Sequence, residues 1–115
     1  MSELPRTLVA ASSRPLILAI LSHVEESYGY EIIQEVKRLS GGVLGYQDGM
    51  LYPVLHRLEE EGLISSRWVF AENGRKRKYY RLSPSGLDAL KVEMQQWIHV
   101  HQTLMRAWQP DLRLS

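Results

Sequence analysis

Seven residues in the C-terminal third, Leu87, Leu90, Met94, Trp97, His101, Leu104 and Trp108, follow one another at spacings of 3, 4, 3, 4, 3 and 4. That is a heptad seam, and no other feature constrains the fold as strongly. It predicts one long helix, with Ser83 as its cap, Pro84 as its first residue and Pro110 as its stop. A chain of 115 residues makes one domain with a small core. The seam outruns such a core, so it is expected to pair with the same seam of a second copy.

Residues 49–64 predict a shorter helix that ends at Gly62 and runs into a strand, with Asp48 as its cap. Leu51, Leu55, Leu58 and Leu63 fall near helical spacing and point inward. Met50, Tyr52, Pro53, His56 and Arg57 fall on the other side. A merely solvated face would carry Glu and Lys, so this one is read as a contact face. Upstream, residues 4–24 predict a first helix in two parts. Residues 4–11 form an arm, and Ser12 or Ser13 caps a fresh start that holds Pro15 in its first turn. A turn over residues 25–30, with Ser27 as cap, precedes a second helix reaching Leu39. Its buried stripe is Ile32, Ile33, Val36 and Leu39, and Gly41-Gly42 stop it.

Residues 64–70 and 77–82 are rich in aromatic and β-branched side chains and read as two strands joined through Asn73-Gly74. Trp68, Tyr79 and Tyr80 are expected to pack this hairpin. The net charge of +1 hides an uneven distribution. Arg67, Arg75, Lys76, Arg77, Lys78 and Arg81 face only Glu72 between residues 67 and 81, whereas Glu59, Glu60 and Glu61 read as a solvated helix end. A local basic cluster in a near-neutral chain marks a surface that meets an anion.

Several function classes drop out. With no cysteine there is no disulfide, thiolate metal site or thiol switch. No apolar run approaches the roughly 20 residues that span a bilayer, and no signal peptide opens the chain, so a cytoplasmic protein is expected. His99 and His101 diverge on a helix and make a poor metal pair. No catalytic constellation, metal site or cofactor motif is present, and an enzyme is not expected.

Three helices, a basic hairpin and a seam helix define a mostly helical α+β fold. It is a winged helix-turn-helix with a C-terminal dimerisation helix. Residues 1–82 form the DNA-binding domain with its N-terminal arm, residues 83–109 the dimerisation helix, and residues 110–115 a frayed tail. Three ordered motifs then resemble the PadR family of bacterial transcriptional regulators. They are Tyr28-Gly29-Tyr30-Glu31-Ile32, Leu51-Tyr52-Pro53-x-Leu55-x-Arg57-Leu58-Glu59-x-x-Gly62-Leu63-Ile64, and Arg77-Lys78-Tyr79-Tyr80-x-Leu82-Ser83-x-x-Gly86.

The resemblance implies a homodimer on a double-stranded DNA operator. Tyr52, Pro53, His56 and Arg57, with Met50 at the helix start, would meet DNA. Met50 stands where the family commonly has Ser or Thr. Arg75, Lys76, Arg77 and Lys78 would grip the backbone, and Tyr28 and Tyr30 would touch phosphate. A single C-terminal helix is similar to that of the family's short, multidrug-binding members. That likeness implies a pore at the dimer centre for a small planar aromatic ligand. Trp97 would stack on it, with Leu8, Ala11, Pro15, Leu90, Glu93, Met94 and His101 lining the space; Pro15 and Glu93 depart from the usual lining. The function expected is a ligand-responsive repressor. The alternatives are a relative that senses phenolic acids or another signal, and a winged-helix protein-interaction module without DNA.

Overall fold

The computed structural model of the protein describes residues 4–108. Its elements in chain order are α1 (Arg6–Ala11), α2 (Ser13–Ser22), β1 (Ser27–Tyr28), α3 (Gly29–Leu39), α4 (Asp48–Glu60), β2 (Ile64–Phe70), β3 (Lys76–Leu82) and α5 (Pro84–Trp108). The tail over residues 110–115 and the stop at Pro110 lie outside the described residues.

The first helix is in two parts, and Pro15 sits in the first turn of α2, where a missing N–H costs little. Ser12 does not cap α2 with its side chain; its hydroxyl donates to the Val9 carbonyl at 2.8 Å. The other two starts are displaced by one residue from expectation. Gln47, not Asp48, flanks α4, and Tyr28, not Ser27, flanks α3. Ser27 is buried and donates to the Glu31 carboxylate at 3.0 Å. Instead of a turn, Ser27 and Tyr28 form a short strand paired with Tyr80 and Tyr79.

The sheet has the order β1-β3-β2 and is antiparallel throughout. The ladder of the wing runs from Ile64 opposite Leu82 to Phe70 opposite Lys76. At its tip Gly74 donates to the Ala71 carbonyl at 3.0 Å with φ +82°. Asn73 keeps negative φ, and its side-chain oxygen accepts from the Arg75 amide at 3.0 Å. The turn is therefore a wider loop than an Asn-Gly pair alone requires.

The core joins α2, α3 and α4. Ile17, Leu18 and Leu21, Ile32 and Val36, and Leu51, Leu55 and Leu58 are all within 1% of complete burial. Leu39, expected in the stripe of α3, is 54% exposed, because it falls on the last residue, where the helix leaves the core. Gly62, at φ +76°, ends α4 with two back-bonds, Leu63 N to Leu58 O and Gly62 N to Glu59 O, both 3.0 Å.

The root of α5 is fastened at this same point. Ser83 donates its amide to the Leu63 carbonyl at 3.0 Å and its hydroxyl to the Gly62 carbonyl at 2.7 Å. The same hydroxyl oxygen accepts from the Gly86 amide at 3.0 Å, the cap expected at this position. Gly86 lies so close to the chain that a Cβ there would sit 2.0 Å from the Leu63 carbonyl oxygen.

From this root α5 packs on α2 and then runs past the domain. Its 25 residues span about 37 Å. The radius of gyration is 16.5 Å, against about 13 Å for a compact chain of this length. Along the projecting part Met94, Trp97, Leu104 and Trp108 are exposed; only Leu90, near the root, is buried in the core of its own chain.

Candidate nucleic-acid interface

The outward face of α4 carries Tyr52, Pro53, His56 and Arg57, all exposed. Met50 does not belong with them. It is half-buried and packs against the core, so the sequence expectation of an outward Met50 is corrected. Pro53 lies inside the helix and gives no N–H to the Gly49 carbonyl. Gly49 has no side chain, and nothing lies within 4 Å of where one would begin, so the backbone is open there. Tyr52 reaches across to the start of α3. A Cβ on Gly29 would meet its hydroxyl oxygen at 2.2 Å, which accounts for glycine between Tyr28 and Tyr30.

His56 faces Glu60 at 3.4 Å. Arg57 has no carboxylate partner among the described residues. An unpaired guanidinium on an exposed helix face keeps its full capacity for bidentate contact with phosphate or a guanine edge.

The four consecutive cations of the wing divide between two faces, because strand side chains alternate. Lys76 and Lys78 share a face with Trp68, at 4.6 and 5.6 Å from its ring centre, and Lys78 also approaches Glu59 at 3.9 Å. Arg77 lies on the other face, 4.0 Å from the ring centre of Tyr28. Tyr28 in turn packs edge-on against Tyr79, with ring centres 5.3 Å apart. Arg75 and Lys76 therefore stand without a carboxylate partner among the described residues, while Arg77 and Lys78 are partly engaged. Tyr80 is buried in the wing as expected, but Trp68 is 52% exposed and is not wing core. Tyr30 is exposed at the start of α3, and Tyr28 is half-buried.

Glu59, Glu60 and Glu61 do not form a bland solvated end. Ser66 donates to Glu59 at 2.5 Å. Arg14 clamps Glu61 with both terminal nitrogens, at 2.9 and 3.1 Å, and reaches Glu93 at 3.2 Å. The Arg14 guanidinium holds the Glu61 carboxyl below the usual carboxylate range. This bridge ties α2 to the end of α4 and to α5, and sequence spacing gave no sign of it. Glu93, expected in the pore lining, is half-buried on α5 with its carboxylate engaged by Arg14.

Leu90 is corrected, since burial in the core of its own chain leaves no ligand access. Trp97, Met94 and His101 are exposed on α5, and Leu8 and Ala11 are exposed on α1, with Pro15 half-buried at the start of α2. In one chain Trp97, 38% exposed, lies on open helix surface rather than in a closed cavity.

A three-helix core with a basic two-stranded wing is a winged-helix fold, and the proteins that share it here are transcriptional regulators. The chain belongs to the PadR-like family of transcriptional regulators, whose family model matches residues 17–92. A transcriptional regulator of Mycobacterium tuberculosis is 42% identical over 77 residues, 64% of this chain and 66% of that protein. The negative transcriptional regulator PadR of Bacillus subtilis is 32% identical over 99 residues, 86% of this chain but 52% of the relative. Among solved structures, a PadR-like regulator of Bacillus cereus superposes with a TM-score of 0.76 at 30% identity, covering 91% of this chain and 99% of that one. A regulator of Clostridium thermocellum gives 0.78 at 25% identity, covering 90% and 99%. These relatives are regulators and not enzymes. No helix among the described residues is long and apolar enough to cross a membrane.

Proposed function

We propose that the chain is a homodimeric, ligand-responsive repressor that acts in the cytoplasm on a palindromic DNA operator. Residues 1–82 read DNA and residues 83–109 hold two copies together. The two α4 helices enter successive major grooves about 34 Å apart. Tyr52, Pro53, His56 and Arg57 meet bases and phosphates, and the wing grips the flanking backbone through Arg75 and Lys76, with Arg77, Lys78, Tyr28 and Tyr30 beside them. The observation that carries this reading is the pairing of two uncovered surfaces. A cationic face stands on α4 and the wing tip, and an apolar seam stands on the projecting α5. Isolated exposed apolar residues need no explanation, but a continuous heptad row of them does.

A planar hydrophobic or cationic compound is the signal that releases the repressor from its operator. It sits between Trp97 and its mate, beside Met94 and His101 of α5 and Leu8, Ala11 and Pro15 of the first two helices. Because α5 is rooted at Gly62 and Leu63, where α4 ends, a change in helix spacing moves the recognition helices. A coupling of about 1–3 kcal/mol is enough to release the operator.

The test uses a planar bis-benzimidazole cation, titrated in the absence of DNA, and a gel shift on the promoter of the protein's own gene. The wild type is expected to show quenched tryptophan fluorescence. Trp97→Ala is expected to lose that quenching and still shift the promoter, since Trp97 stands on α5 and belongs neither to α4 nor to the wing. Quenching that survives in Trp97→Ala places the pocket elsewhere.

A further inference from the structure

Phe70, the chain's single phenylalanine, is 72% exposed on the last rung of the wing ladder, opposite Lys76. Two residues back, on the same face by strand alternation, Trp68 is 52% exposed opposite Lys78. Further down that face Tyr80 is buried and Ser66 bonds to Glu59, so α4 covers the base of the hairpin and leaves its outer half bare. Two large aromatics are thus uncovered at the end of an element whose neighbouring side chains are cationic. Arg75 and Lys76 have no carboxylate partner among the described residues, and Glu72 in the turn is the one acid at the tip.

An apolar protein surface would match the rings but leave these cations unpaired. A polyanion with apolar ring edges in its grooves matches both. We infer that the outer wing is an insertion wedge for the DNA minor groove. Phe70 enters a base step and partly unstacks it, Trp68 packs behind it against the sugars, and Arg75 and Lys76 hold the phosphates on either side. Apolar wedges of this kind kink the duplex, and the cost of the kink depends on the step that is opened. Pyrimidine–purine steps open most easily. The wedge therefore adds sequence preference at a position where the protein makes no base hydrogen bond, outside the half-sites read by α4.

The inference rests on the DNA-binding reading above, and the experiment separates the two. The promoter fragment bound by the wild type is footprinted, and 2-aminopurine is placed at the steps that the wing covers. Wild-type binding is expected to raise 2-aminopurine emission at one such step. Phe70→Ala, at an exposed site that leaves folding intact, is expected to bind about tenfold more weakly and to abolish the rise. Phe70→Leu should keep part of both. Lys76→Gln is expected to weaken binding and reduce its salt dependence while the rise remains. If Phe70→Ala binds as tightly as the wild type, or if no wild-type step brightens, the wedge is overturned while DNA binding stands. If the wild type fails to bind the fragment, both fall together.

Discussion

Leu55→Ala is expected to lower the unfolding free energy by about 2–5 kcal/mol. Leu55 is completely buried at the centre of the inward face of α4, against α2 and α3. Truncation removes the transfer energy of the lost methyl and methine groups and leaves a cavity that helices on several sides cannot collapse into. Total stabilities of small domains are only about 5–15 kcal/mol, so this one change removes a large share. Leu39→Ala is the comparison. Leu39 belongs to the same apolar pattern in sequence but is 54% exposed, and its loss should stay within about 0.5 kcal/mol. Urea unfolding followed by circular dichroism at one fixed protein concentration measures both, since the proposed dimer would make apparent stability concentration-dependent. A Leu55→Ala loss below that of Leu39→Ala would mean that α4 is not seated as described.

Arg57→Ala is expected to lower operator affinity by about 1–3 kcal/mol, which is roughly 5- to 150-fold, without changing the oligomeric state. Arg57 is exposed on α4 and forms no ion pair among the described residues, with the Glu61 carboxylate near enough only to feel its charge. The form of the loss identifies the contact. A base-edge contact relaxes the sequence preference at one position; a phosphate contact weakens all sequences alike and lowers the salt slope by about one. Arg38→Ala is the control, because Arg38 is already held by Glu35 at 2.9 Å on α3 and should leave operator binding unchanged. Equal affinities for wild type and Arg57→Ala would remove Arg57 from the contact face.

What could be read from the sequence was what repeats or what ends. The seam of α5, the inward leucines of α4, the glycine stop at Gly62 and the Ser83-Pro84 start each rest on local periodicity or capping, and each appears in the structure within a residue or so. The strand at Ser27–Tyr28 was not legible, because two residues have no period and the partner comes from the far end of the domain. The Arg14 bridge was hidden in the same way, its acids lying 47 and 79 residues away.

The wing cations are a different case. Strand alternation alone would have sorted Lys76 and Lys78 from Arg77, and would have put Trp68 and Phe70 together on one side. A run of four adjacent cations does not by itself show which face of the strand each one takes. At Met50 the helical period is ambiguous, since the position borders the inward stripe. Its half-buried place against the core removes it from the outward face that Tyr52, Pro53, His56 and Arg57 still share.

In the proposed geometry α5 fixes two copies of α4 at one helical turn. That geometry is tested most directly by inserting about five base pairs, half a turn, at the centre of the footprinted palindrome. The inserted DNA turns one half-site to the opposite side of the duplex, and the expected result is affinity no better than that of a single half-site. Insertion of about ten base pairs restores the facing and removes the spacing, and binding should recover only in part. Undiminished affinity for the five-base-pair insertion would contradict the account, because it would mean that the two recognition helices are not held in register by the seam.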